Sequence, residues 1–414
     1  MEASKFLEST EIINIIARAE KLKSDQKVFS DVVDKDGFQY VDLVQEGGGV
    51  LGIALVGYTY VLEKAGIRFF NLAGASAGAI NTLLMASIKQ INQEKSENIL
   101  AALADQNFFD FVDGGNRIKG VITKILSKRS ILSSIFFNIF YLKMKIIDYM
   151  GFNPGGAFER WLSALLAGSN VKTLSDLKKK QKEIPELFYI NNNQKVPQVY
   201  DSTKIAIIAT DATTKTKAEF PRMASLYWDL SKIDVNPAKF VRASMSIPFF
   251  FEPYTVIDIP AQGTQENENW INMADYWGSV PKEIKFVDGG MLSNFPINIF
   301  HLDGVPKKPT FGVRLSAFRE QPANTDKFTG FLSGMLDALR QQFDYDFLLK
   351  HPDYKYLICK IDADQSYNWL DFSIADKDKI GLFTLGARRA IDFLEKFDWA
   401  AYKDIRKKSV VESG

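Results

Sequence analysis

The stretch "VQEGGGVLGIALVGYTYVLEKAG" (residues 44–66) carries glycines at positions 47, 49 and 52, which is the spacing G-x-G-x-x-G. A strand-like run at 38–44 precedes these glycines, and a helix-like run that ends at Gly66 follows them. Glycines at such a turn let backbone amides approach an anion closely. The spacing alone is compatible with two kinds of bound anion, the pyrophosphate of a dinucleotide and an oxyanion formed during a reaction.

A second motif follows close behind the first. "GASAG" at residues 74–78 matches G-x-S-x-G and places Ser76 between Gly74 and Gly78. The two glycines permit a tight strand-to-helix turn that holds the serine in a strained backbone conformation. Free N–H groups and the helix dipole then favour negative charge beside it. A plain small-residue turn is the alternative, but the strand–turn–helix context favours a nucleophile.

The dinucleotide interpretation lacks its acidic partner. Such a site needs a carboxylate at the end of the second strand, and residues 71–73 at that position supply none. A Walker-type Lys-Ser/Thr pair is also missing. We therefore interpret Gly47, Gly48 and Gly49 as an oxyanion hole, and Gly52 as a position where the next helix packs closely.

A serine nucleophile needs a base. The chain has only two histidines, His301 and His351, and neither lies in a recognisable catalytic context. Asp288 in "FVDGG" closes an apolar strand, and Gly289 and Gly290 leave access to its carboxylate, so it is the stronger candidate. An aspartate that merely caps a turn remains an alternative, as does a Ser-His-Asp arrangement through His301.

The motifs "GGGVLG", "GASAG" and "DGG", in this order, resemble the patatin-like phospholipase family. Residues 207–220 and 241–253 are similar to further segments of that family, so the resemblance covers about residues 39–315. It implies an α/β fold of three layers, with a central, mainly parallel sheet flanked by helices. It also implies a catalytic dyad in which Asp288 activates Ser76, and hydrolysis of lipid acyl esters, phospholipase A type, without a metal or other cofactor.

One residue departs from the family pattern. The family usually carries Arg or Lys before the last glycine of the first motif, and this chain has Leu51 there. The departure bears on rate or headgroup preference more than on the reaction class. From a different class of function, a catalytically silent lipid- or protein-binding module on the same fold stays open.

Composition excludes several other functions. Lys and Arg number 51 against 50 Asp and Glu, so no overall basic field for nucleic acid exists. Cys359 is the only cysteine, which excludes an intrachain disulfide and a Cys-rich zinc site. We predict a helical extension at 1–38, a catalytic domain at 39–315, and a C-terminal strand and helices at 316–414 packed on the same domain.

The sequence also bears on membranes. The charged N-terminus has no apolar core typical of a classical signal peptide. The apolar run 131–147 is too short and too interrupted to span a bilayer, which leaves an interfacial lid or a core helix. The lysine cluster at 178–182 suits either anionic lipid or a solvated face. We expect a cytoplasmic enzyme that binds phospholipid peripherally at a membrane surface. The resemblance adds an unidentified protein activator and leaderless secretion into a host as possibilities.

Overall fold

The structure is a computed structural model that describes residues 1–126, 143–197, 202–260, 263–317 and 344–413, together with positions 322, 326 and 338. The helices of these residues are α1 (Ser4–Leu7), α2 (Thr10–Ser24), α3 (Ile53–Lys64), α4 (Ala77–Ser87), α5 (Ser96–Asp105), α6 (Asn116–Leu126), α7 (143–149), α8 (Gly156–Gly168), α9 (Leu174–Gln181), α10 (Ala224–Tyr227), α11 (Ala238–Ser244), α12 (Thr264–Ala274), α13 (344–350), α14 (Asp376–Lys396) and α15 (Trp399–Ser413).

The strands of the described residues are β1 (Val32–Asp34), β2 (Gln39–Gln45), β3 (Ile67–Ala75), β4 (Gly151–Asn153), β5 (Leu187–Tyr189), β6 (Ile205–Asp211), β7 (Thr216–Phe220), β8 (Phe249–Phe251), β9 (Tyr254–Ile257), β10 (Glu283–Val287), β11 (Thr310–Arg314) and β12 (Ile358–Lys360).

Ten of these strands form one sheet with the central order β12-β11-β2-β3-β6-β10-β9. The run from β12 to β6 is parallel throughout, whereas β10 runs antiparallel to β6 and β9 antiparallel to β10. Strand β1 pairs with β2, β5 pairs with β1, and β7 pairs with β6, whereas β4 and β8 form a separate two-stranded sheet. The predicted α/β fold with a mainly parallel sheet between helices is confirmed.

Burial explains why the central strands are so apolar. Every residue of β3 and of β6 is buried, which is expected where helices cover both faces of a parallel sheet. Helix α3 is buried almost all round because α14 lies against its outer side. Gly57 and Gly386 permit this approach, since a side chain on either would collide with the backbone of the other helix, at Phe383 and Ala54. The C-terminal part of the chain thus covers the helix that follows the glycine run.

Several predicted elements have shifted or additional parts. The helix expected from residue 50 begins as a 3-10 turn at Gly49–Gly52 before α3. The predicted N-terminal helical region also contains β1, which joins the sheet, and a further helix, α15, follows α14. The domain division stays a prediction.

The membrane-related stretch is only partly described. Residues 131–142 of the proposed lid lie outside the described residues, and the remainder belongs to α7. No helix in the described part of the chain combines the length and apolarity that crossing a bilayer requires.

Candidate active site

Ser76 lies on a strained turn between β3 and α4. Its backbone has φ +49° and ψ −117°, a region that side chains rarely adopt, and the residue is buried. A side chain on Gly74 would overlap the backbone of Gly78, and one on Gly78 would overlap the carbonyl of Gln45. The two glycines are therefore required by close backbone contacts, and the second contact joins this turn to the end of β2.

The amide of Ser76 has a specific partner. It donates a hydrogen bond to Ser244 Oγ at 2.9 Å, and Ser244 Oγ donates to the carbonyl of Ile208 at 2.5 Å. Ser244 is the last residue of α11, and Ile208 lies in β6. The turn is thus fixed from a helix and a strand that are remote in sequence. Our sequence reasoning assigned no role to Ser244, although the segment 241–253 that contains it was part of the family resemblance.

Gly47 lies directly beside Ser76. A Cβ on Gly47 would be 3.0 Å from Ser76 Cβ and 2.6 Å from Asn294 Oδ1. The Gly47 amide already donates to the Asn294 carbonyl at 3.0 Å, and Asn294 Nδ2 donates back to the Gly47 carbonyl at 3.2 Å. In this conformation Gly47 therefore positions the loop, and its N–H is engaged.

The amides of Gly48 and Gly49 differ from that of Gly47. Within the described residues neither has a hydrogen-bond acceptor. Gly49 has φ +55°, and a side chain there would collide with the carbonyl of Trp369, which accepts from Val50 N at 3.0 Å. These two adjacent amides are the candidate donors of the predicted oxyanion hole.

Gly52 and Glu46 fix the ends of the loop. A Cβ on Gly52 would lie 2.9 Å from Ala77 Cβ, so this glycine brings the start of α3 against the start of α4. The buried carboxylate of Glu46 accepts from the amides of Leu315, at 2.6 Å, and Ser316, at 2.9 Å. The loop is held between the ends of β2, β3 and β11.

Asp288 follows β10, and the sheet register brings it toward Ser76. Strand β7 pairs with one edge of β6, and β3 and β10 follow one another along its other edge, with Ala75 opposite Ile208 and Val287 opposite Thr210. One residue further along each strand, Ser76 and Asp288 both reach the level of Ala209, because β10 runs antiparallel.

Local contacts hold Asp288 in place. Its amide donates to the Ser246 carbonyl at 2.8 Å, and its Oδ1 accepts from Gly290 N at 2.8 Å. Gly289 has no room for a side chain against the carbonyl of Ile208. The carboxylate is buried and caps the turn at Gly289 and Gly290 with one oxygen.

An apolar cavity begins at Ser76. The space between its walls is about 670 Å³ with the open mouth included. One wall is a face of α4 that carries Ala77, Ile80 and Leu84. Aromatic side chains, together with Ile247, line the rest of the cavity. They are Phe108, Phe111, Phe158, Trp161 and Phe372. Of residues 247–254, only Ile247 lines the cavity.

No cation in the described lining of the cavity substitutes for the Arg or Lys that the family usually carries at the position of Leu51. Leu51 is buried in the core, and the cavity lining that the described residues form contains no charged side chain. Arg242 is a buried cation outside it, and burial lowers the pKa of this guanidinium. Arg242 donates to Ser246 Oγ at 2.6 Å and to the carbonyl of Pro154 at 2.6 Å. Arg242 therefore stabilises the segment in which the Ser246 carbonyl accepts a hydrogen bond from the Asp288 amide.

The two histidines form a separate cluster. The rings of His301 and His351 lie 4.4 Å apart, and His301 Nδ1 is 2.8 Å from the hydroxyl of Tyr354. Arg406 Nη2 lies 3.4 Å from His301 Nε2. Burial lowers the pKa of both imidazoles. All of these partners belong to the C-terminal half of the chain, and Ser76 is not among them.

The fold and the site together indicate a known family of α/β proteins. The family described as patatin-like phospholipase matches residues 43–301. This match covers more than half of the chain and includes both glycine motifs and the Asp288 segment. The chain belongs to the patatin-like phospholipase family, as its motifs predicted.

Two individual proteins show how far this similarity extends. The chain is 28% identical over 373 residues to the uncharacterized protein YqhO of Bacillus subtilis (strain 168), which covers 87% of this chain and 100% of that protein. It is also similar to the crystal structure of VipD from Legionella pneumophila, with a TM-score of 0.35, 12% identity, and coverage of 89% of this chain and 70% of VipD. The second similarity is too distant to support an argument about this chain.

Proposed function

We propose that this protein is a serine-dependent lipid acyl hydrolase of the phospholipase A type. The observation that carries the proposal is the position of Ser76, on a strained turn at one end of an apolar cavity. Strain of this kind costs roughly 1–3 kcal/mol and is found mainly at functional sites. Membership in the patatin-like phospholipase family supports lipid esters as the substrates.

The reaction proceeds through an acyl-enzyme. Ser76 Oγ attacks the ester carbonyl carbon and transfers its proton toward the Asp288 carboxylate. The C–O bond to the alcohol then breaks, the alcohol leaves with that proton, and the acyl group remains on Ser76. Water attacks the acyl-enzyme in the same manner and releases the fatty acid.

The amides of Gly48 and Gly49 stabilise the tetrahedral oxyanion in both steps. Their N–H groups have no acceptor in the described residues, and they belong to the loop that packs against Ser76 through Gly47. Loss of one such donor raises a barrier by about 3–4 kcal/mol. The third donor predicted from the sequence, Gly47, serves in this account to hold the loop.

The cavity supports a long acyl chain as the group transferred. Its walls are aliphatic and aromatic, and Ser76 and Asn81 are its only polar lining residues in the described part of the chain. Apolar burial of a chain contributes about 0.8 kcal/mol per methylene. The lipid headgroup is left outside the cavity, and the buried Leu51 supplies no charge for it.

The experiment compares fatty-acid release from mixed phospholipids by four proteins with EDTA present. The wild type is expected to be active, Ser76→Ala and Asp288→Asn inactive, and His301→Ala active. Full activity in Asp288→Asn would exclude the dyad, and loss of activity in a folded His301→Ala would support a Ser-His-Asp mechanism. A wild type that neither releases fatty acid nor reacts with a fluorophosphonate would indicate the silent binding module.

A further inference from the structure

Four large apolar side chains are exposed outside the cavity on neighbouring elements. They belong to α7 with the residue that follows it and to β8; they are Met144, Ile147, Met150 and Phe249. We refer to them as the docking face. Scattered single apolar residues are ordinary on a protein surface, but a contiguous group indicates an interaction site.

Backbone contacts show that the group is contiguous. Strands β4 and β8 pair in parallel with Gly151 opposite Phe249, so Met150 lies next to the Phe249 strand. The ion pair between Lys145 Nζ and Glu252, at 3.3 Å, ties α7 to the residue that follows β8. Met144 and Ile147 are three positions apart on a helix and therefore share a side of α7.

One member of this face is held on the surface by strained backbone. Phe249 has φ +67° with 60% of its surface exposed, and a positive φ in a bulky residue is a true outlier that the surrounding structure must enforce. Met150, with φ +57°, instead follows α7 in the left-handed conformation that often ends a helix.

The docking face continues into the acyl cavity. Ile247, two residues before Phe249, lines the cavity. Phe250 stacks on Phe372 with ring centroids 4.8 Å apart, and Phe372 also lines it. An acyl chain that leaves a lipid layer in contact with this face would therefore meet apolar surface along its path toward Ser76.

We propose that the docking face inserts into the surface of a lipid bilayer and orients the cavity mouth toward it. The proposal rests on the proposed function for its occupant, since a lipid hydrolase must meet its substrate in an aggregate. Apolar side chains that enter the interface supply binding in proportion to the area buried. The exposed charges beside the face, Lys143 and Asp148, have opposite signs, and Lys145 is paired with Glu252, so the apolar side chains supply the binding.

The test measures co-sedimentation of the full chain with phosphatidylcholine vesicles. Phe249→Gly removes the aromatic ring and also relieves the positive φ, so the variant is expected to fold. Ile147→Ser removes a second apolar group. The matched control is Ile13→Ser on α2, since Ile13 is 55% exposed and Ile147 63% exposed. We expect about tenfold weaker vesicle binding in each docking-face variant and none of this loss in the control.

Turnover of a soluble short-chain ester separates docking from chemistry. We expect Phe249→Gly to lose about tenfold more activity on vesicles than on the soluble ester. Vesicle binding that is equal in wild type, Phe249→Gly and Ile147→Ser would overturn the docking face even if esters are hydrolysed. Vesicle binding that depends on Phe249 without hydrolysis of any ester would retain the docking face and reject the proposed function.

Discussion

The amide of Ser76 donates to the hydroxyl of Ser244 at 2.9 Å, although the two residues are 168 positions apart. The same hydroxyl donates to Ile208 in β6. One side chain thus connects the turn of the proposed nucleophile to the strand that also adjoins the Asp288 segment.

Ser244→Ala is expected to lower kcat more than it changes KM. The substitution leaves the Ser76 amide and the Ile208 carbonyl without their buried partner, at a cost of about 1–3 kcal/mol in the free energy of unfolding. Steady-state kinetics and denaturant unfolding measure the two effects. The control is Ser87→Ala, since Ser87 is buried and its hydroxyl has no partner among the described residues. Equal kinetics in both variants would contradict a positioning role for Ser244.

Ser76→Gly is expected to stabilise the protein while abolishing ester hydrolysis. Glycine adopts φ +49° without strain, so the free energy of unfolding should rise by about 1 kcal/mol. Ser76→Ala keeps the strain and should be equally inactive without this gain. Urea unfolding of the three proteins gives the comparison. A less stable glycine variant would show that the turn is not strained as described.

Leu84→Phe is expected to shorten the acyl chain that the enzyme accepts. Leu84 lines the cavity eight residues along α4 from Ser76, or about 12 Å at the rise of a helix. Long-chain esters should lose turnover while short-chain esters keep it, as measured across a series of p-nitrophenyl esters. Leu83→Phe is the control, because Leu83 is equally buried but does not line the cavity. A uniform loss across the series would indicate general disruption.

Asp344 is expected to make stability fall as the pH rises. Burial raises the pKa of its carboxyl from 3.8 to about 6, against hydrogen bonds from Ser293 Oγ and Phe295 N that lower it. The folded protein therefore keeps this proton to a higher pH than the unfolded chain does. The resulting stability is fully present below the unfolded pKa and is lost as the pH rises through the folded pKa.

The measurement is the free energy of unfolding between about pH 4 and pH 7 for the wild type and for Asp344→Asn. The amide cannot ionise, so the variant should lack this contribution, and the difference between the two proteins should change across that range. A constant difference would contradict the assignment. Asp344 accepts hydrogen bonds from Ser293 and Phe295, the two neighbours of Asn294 in sequence. Asn294 in turn is hydrogen-bonded to Gly47.

The serine turn was predictable because its chemistry is local. Gly74, Ser76 and Gly78 lie within five residues, and the close approach of Gly74 to the backbone of Gly78 is internal to the turn. The parallel order of β2 and β3 follows similarly from adjacent strand and helix patterns.

The remaining features depend on contacts between remote segments. The sequence predicts three equivalent N–H donors at the glycine run. In the structure the N–H of Gly47 already donates a hydrogen bond to the carbonyl of Asn294, which is remote in sequence. From sequence alone, Gly57 and Gly386 are residues that lower the stability of two helices. The folded chain shows that these glycines let α3 and α14 come into backbone contact. The strained Phe249 was equally invisible, since a run of three phenylalanines does not reveal which one faces outward.

The central claim, that Ser76 carries the acyl group, is tested most directly by trapping the acyl-enzyme. The wild type is mixed with a long-chain p-nitrophenyl ester, quenched in acid within the first turnover, digested, and mapped by mass spectrometry. The account predicts one acylated peptide, with the modification on Ser76. Hydrolysis that proceeds while Ser76 stays unmodified, or an acyl group found on another residue, would contradict it.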